Sequence, residues 1–67
     1  MNAAIEFERE FDLSLAKIAS NPERFPHVDA RHQFYLMQNF PFQIIYRHLP
    51  SEVHVVAVAH TSRKPDY

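Results

Sequence analysis

Glycine is missing altogether from this chain. Phosphate-cradling loops and dinucleotide fingerprints need glycine wherever the backbone must approach a ligand closely or take up positive φ. Both are therefore excluded, and a strained nucleophile elbow around Ser14, Ser20, Ser51, Thr61 or Ser62 falls with them. Cysteine is also absent, which removes disulfide staples and Cys-based zinc sites. A chain without cysteine fits the cytoplasm, and a secreted setting nearly as well. No apolar run approaches the roughly 20 residues of a membrane span. The opening MNAAIEFEREFD places acids where a secretory leader carries basic residues ahead of an apolar block. The expectation is a soluble, cytoplasmic protein.

With 67 residues the chain makes one domain, and domains this small bury a modest share of their surface. Such scaffolds are usually stabilised by disulfides, a structural metal or a partner. A partner or self-association is the expectation that remains. The net charge of −1 hides an uneven distribution. Residues 1–30 set Glu6, Glu8, Glu10, Asp12, Glu23 and Asp29 against Arg9, Lys17 and Arg24. Residues 31–67 set Arg31, Arg47, Arg63 and Lys64 against Glu52 and Asp66, and add four of the five histidines. The second half is the one suited to an anionic partner.

From Ala3 to Ala19 apolar residues recur at helical spacing, with Ala4, Phe7, Phe11, Leu15 and Ile18 forming a stripe and Leu13 beside it. Asn21 and Pro22 end this amphipathic helix, because proline cannot continue the hydrogen-bond ladder. SNPERFPHVDA, residues 20–30, reads as a loop that Phe25 pins to the core. Three extended segments follow: RHQFYLM (31–37), FQIIYRHL (42–49) and EVHVVAVAH (52–60). In the second, Phe42, Ile44 and Tyr46 share one face and Gln43, Ile45 and Arg47 the other. In the third, strict alternation puts Val53, Val55, Ala57 and Ala59 on one face and His54, Val56, Val58 and His60 on the other. Apolar residues on both faces imply burial on both sides or a missing neighbour. Short connections, including a tight turn at Pro50 and Ser51, favour an antiparallel meander. The predicted fold class is α+β, one amphipathic helix packed on a three-stranded antiparallel β-meander.

The order of these signals carries a resemblance. An amphipathic helix, NPERFP, an arginine opening a strand, FPFQIIYR and then AVAHTSRKPDY, with its H-x-x-R-x-P-x-Y ending, resemble the RelE/ParE superfamily of toxin–antitoxin toxins. Within it they are most similar to the ParE-like plasmid stabilisation branch. The resemblance covers Ala3 to Tyr67 and implies a first strand, a helical hairpin and an antiparallel meander. The present helix would match the second helix only, so the resemblance implies a chain lacking the first strand and first helix and stopping short of the usual C-terminal end.

The function implied is that of a toxin that inhibits DNA gyrase by protein–protein binding and is neutralised by a cognate antitoxin, with no cofactor and no metal. Arg31, Arg47, His60, Arg63, Lys64 and Tyr67 are the target-binding candidates under the resemblance. Phe7, Phe11, Leu15 and Ile18 are the apolar stripe that an antitoxin would complete. Two alternatives stand beside it. RelE-like members cut messenger RNA on the ribosome, and that chemistry would fall here to His60, Arg63, Tyr67 and Arg47. The family's basic positions are otherwise filled by Phe34, Leu36, Gln43 and Thr61. The other alternative is an inactive remnant that only binds an antitoxin. His60 has two readings, a general acid or base beside Arg63 and Tyr67, or a ring that fixes where the chain leaves the sheet. His27, His32, His48 and His54 lack the pairings that set two imidazoles on one metal.

Overall fold

Asn2 starts the helix by accepting a hydrogen bond on its side-chain oxygen from the Ala4 N–H at 2.9 Å. In the computed structural model, which describes residues 2–61, helix α1 spans Ala3–Ser20. It closes where the sequence predicts, with the Asn21 N–H bonding back to the Lys17 carbonyl at 3.3 Å. Strands β1 (Gln33–Leu36), β2 (Phe42–His48) and β3 (Val53–His60) follow, and pair antiparallel in the order β1-β2-β3. One helix packed on a three-stranded antiparallel sheet is therefore the fold of the described residues.

The helical stripe meets one face of the sheet. Ile18, Tyr35, Met37, Ile44 and Tyr46 form the buried cluster, and Phe7, Phe11, Leu15, Phe25, Phe40, Phe42 and Val53 pack around it half-buried. Phe7 sits edge-on to both Phe40 and Phe42, with ring centres 5.2 and 5.5 Å apart, a favoured aromatic geometry. Full burial of side chains such as Ile18 and Ile44 contributes about 1.5–3 kcal/mol each. Ser14 joins this face although it is polar. It is buried, and its hydroxyl donates to the Glu10 carbonyl one turn back at 2.8 Å.

A helix is about 10 Å across, whereas three strands spaced roughly 4.8 Å apart need a wider cover. The helix therefore covers β1 and β2 and leaves β3 exposed: Val55, Val56 and Val58 are 42%, 52% and 42% accessible. The opposite face of the sheet is not covered by α1. Phe34 pairs with Ile45 there and Leu36 with Gln43, and Leu36 is 54% exposed.

Two sequence expectations are corrected. The first strand begins at Gln33 instead of Arg31, because Asp29 captures the two preceding residues in a turn. Its carboxylate accepts from the backbone N–H groups of Arg31 and His32, each at 2.8 Å, and from the His32 ring at 2.9 Å. The second correction concerns β3. Ile45 pairs with Ala57 but Tyr46 pairs with Val55, leaving Val56 as an extra residue. This bulge reverses the alternation halfway along the strand. Val53 and Val55 therefore share their face with Val58 and His60, and His54 shares the other with Ala57 and Ala59.

Among the described residues the turns are made without any residue at positive φ. Leu49 and Glu52 exchange backbone hydrogen bonds across Pro50 and Ser51. The β1–β2 turn is held from outside by Glu10. Its carboxylate accepts from the N–H groups of Gln38 and Asn39 at 2.8 and 3.0 Å and from the Asn39 side chain at 2.8 Å. These bonds, that from the Asn39 backbone foremost, hold the Glu10 carboxyl below its ordinary value of 4.5.

A lowered folded-state pKa contributes stability that is present above the unfolded value and is lost as pH falls through the folded one. Unfolding midpoints measured by circular dichroism should therefore fall on acidification below the ordinary Glu10 value. Glu10→Gln should be less stable than the parent at neutral pH and lose less on acidification. Asp29, also held low by its bonds from Arg31 and His32, accounts for the pH dependence that the variant keeps. Parallel pH profiles for the two proteins would contradict this role for Glu10.

Candidate functional site

The segment between α1 and β1 is fastened to the sheet at several points. The Pro22 carbonyl accepts from the Tyr46 hydroxyl at 2.8 Å and from the Gln33 side-chain amide at 2.7 Å. The same Gln33 amide donates to the Phe25 carbonyl at 2.9 Å. Gln33 is buried for this purpose, and burial raises the Tyr46 phenol above its ordinary value of 10.0. Phe25 lies edge-on to Tyr35 with ring centres 5.1 Å apart. It pins the loop as its sequence context predicts. Further along, the Phe34 N–H donates to the Pro26 carbonyl at 3.0 Å and the Val28 N–H to the His32 carbonyl at 2.8 Å. His27 and Gln33 form an isolated bridge. The loop is thereby folded into a small hairpin against the start of β1.

This fastening brings His27 and Arg31 from the loop to Arg47 and His48 at the end of β2. With Gln33 beneath and Glu23 alongside, they line a cleft of about 350 Å³. Arg47 lies opposite His54 on β3, and the His54 ring is hydrogen-bonded to Glu52. Among the described residues the ion pairs are His32–Asp29 and His54–Glu52, so neither Arg31 nor Arg47 is paired with a carboxylate, Glu23 included. A larger groove of about 520 Å³ runs between α1 and the β1–β2 turn and is lined by Glu6, Arg9, Glu10 and Lys17, of which Glu10 is committed to the turn. The cleft beside β2 is the candidate for an anion because its lining has two arginines against one carboxylate, whereas the groove along α1 has two basic and two acidic residues.

The structure thus brings together Arg31 and Arg47 of the predicted target-binding set and separates them from His60. His60 pairs with Phe42 at the opposite end of the sheet, its ring edge-on to the phenyl with centres 5.2 Å apart. Five residues along β2 separate Phe42 from Arg47, roughly 16 Å at strand rise, and the two side chains point to opposite faces. Arg63, Lys64 and Tyr67 lie outside the described residues. The stripe Phe7, Phe11, Leu15 and Ile18 faces this chain's own sheet, with Ile18 buried and the other three half-buried.

His27 and His48 join the cleft without having been singled out for it. Their separation in sequence carried no spacing signal, and only the pairing of the loop with β1 reveals their proximity. Gln33 and Tyr46 fall within predicted strands, and no sequence signal marks their bonds to the Pro22 carbonyl. Among the described residues no group of three His, Asp or Glu side chains is arranged to hold a metal ion, and no helix is long and apolar enough to cross a membrane.

Gln33→Ala removes both bonds from the amide and leaves the Phe25 carbonyl without this donor. The expected loss is about 1–3 kcal/mol in chemical denaturation, accompanied by a loosened loop 22–32. Unchanged stability would contradict the fastening role.

No family model, curated protein or solved structure matches the chain.

Proposed function

We propose that the chain is a ParE-like toxin of a type II toxin–antitoxin pair. In this reading it acts in the cytoplasm by binding DNA gyrase, performs no chemistry of its own and is neutralised by a cognate antitoxin. The observation that carries the reading is the order of the elements. One helix followed by a three-stranded antiparallel meander agrees with the second helix and meander implied by the RelE/ParE resemblance. The finer assignment, a RelE/ParE-like domain without the first strand and first helix, is part of the proposal.

Action by contact is favoured over messenger RNA cleavage by the placement of the basic residues. A nuclease site must gather its acid, base and charge-stabilising groups around one phosphate. Arg47 and His60 stand at opposite ends and on opposite faces of the sheet. Target binding tolerates such dispersal, because an interface spreads its contacts over some 20–30 residues a side. Antitoxin contact falls to Phe7, Phe11 and Leu15, which remain partly accessible at the margin of α1, with Ile18 supporting them from the core.

Controlled expression of this chain in a bacterium, followed by growth and a DNA-damage reporter, tests the proposal. Growth arrest with the reporter switched on is the expected result, and Arg63→Ala or Tyr67→Ala should relieve it while the protein stays folded. Arrest with cleaved messages and a silent reporter would replace gyrase binding with ribosome-dependent cleavage. Unimpaired growth with the folded protein present would remove the toxin activity and leave an antitoxin-binding remnant, to be detected by co-purification with its antitoxin.

A further inference from the structure

We propose that the cleft between loop 22–32 and the end of β2 is a binding site for a single terminal phosphate, either inorganic phosphate or a small phosphomonoester. Arg31 and Arg47 are its principal ligands, and His27 and His48 stand beside them. This inference is independent of gyrase binding and of the toxin reading.

Arg31 and Arg47 line one cleft, and neither has a carboxylate partner among the described residues. Like charges held together disfavour the free state, and a bound anion relieves them. Guanidinium is suited to this task, since its planar fork of donors matches two oxygens of a phosphate and it stays charged at every accessible pH. The two imidazoles offer additional ring nitrogens at the same opening.

Binding also demands that the two sides of the cleft be held in place beforehand. Arg47 is half-buried on the central strand. Arg31 is set by the Asp29 turn, whose carboxylate holds the Arg31 N–H at 2.8 Å. The loop carrying His27 is tied to the sheet through Pro22, Phe25 and Pro26. The backbone ordering that would otherwise oppose binding is thus already present in the free protein.

The cleft, about 350 Å³, lies near the lower end of small-molecule sites, which run from about 300 to 1,000 Å³. Glu23 on its wall selects among anions. A carboxylate in the lining repels each phosphate of a polyanion, whereas a single terminal phosphate meets two arginines against this one carboxylate. The shared chemistry is therefore a compact dianion on a small molecule, and not an extended phosphate backbone.

The test is a titration of the whole protein with inorganic phosphate and, separately, phenyl phosphate, at constant ionic strength set by chloride. Residue-resolved nuclear magnetic resonance should show saturable shifts centred on His27, Arg31, Arg47 and His48, with a rise in melting temperature from preferential binding to the folded state. Phenyl phosphate binding more tightly would identify a phosphomonoester site, and equal binding a site for the free ion. Arg31→Gln with Arg47→Gln should weaken binding at least about tenfold, while Arg9→Gln with Arg24→Gln should leave it unchanged. Shifts spread over all the arginines, absence of saturation, or equal binding by a folded Arg31→Gln/Arg47→Gln variant would overturn the proposal. Should that variant fail to fold, the shift map of the parent protein and the Arg47→Lys variant decide. Arg47→Lys should keep the charge but lose affinity with the fork geometry.

Discussion

The carbonyl of Pro22 is the point at which the molecule's parts are joined. It follows directly on the helix, and it accepts one hydrogen bond from β1 through Gln33 and another from β2 through Tyr46. A buried carbonyl must find donors, and here both come from side chains that also belong to the core face. Proline cannot extend the helix, so the residue that ends α1 also anchors the loop. His27 and Arg31 reach Arg47 and His48 because the loop is held against the sheet, at this junction and through Phe25 and Pro26.

The remaining architecture follows from the small size of the cover. A single helix shields Tyr35, Ile44 and Tyr46 but leaves β3 and the far face of the sheet open. Among the described residues that edge has little protection: β3 carries no Lys, Arg, Asp, Glu or Pro, and it owes its local irregularity to the bulge at Val56. Stability therefore rests on a short list of buried contacts, supplemented by side-chain ties such as Glu10 to the β1–β2 turn. In a domain of this size each tie matters, because net stabilities are small differences between large terms.

How much of this could be read from sequence depended on the strength of each local signal. The 3.6-residue stripe and Asn21-Pro22 located α1 because periodicity and a helix stop agreed. The alternation of Phe42, Ile44 and Tyr46 located the core face of β2. In β3 every second-residue pattern was equally apolar, so nothing marked Val56 as the bulge, and faces drawn by strict alternation were wrong for half the strand. The strand-preferring aromatics of RHQFYLM concealed the turn at its start, because the controlling group, Asp29, lies upstream. Ser14 and Gln33 were missed as core residues since polar side chains enter the interior only where a specific partner exists. The cleft combined two expected arginines with two unassigned histidines, a tertiary arrangement with no sequence period.

Residue-resolved amide hydrogen exchange is the most direct test of the central junction. In the parent protein the Phe34 and Val28 N–H groups, bonded to the Pro26 and His32 carbonyls, should be protected. In a Tyr46→Phe/Gln33→Ala variant, which strips Pro22 of both donors, that protection should collapse first while amides pairing β2 with β3 remain protected. Phe34 and Val28 exchanging at unstructured-chain rates in the parent protein, or keeping full protection in the variant, would contradict the account.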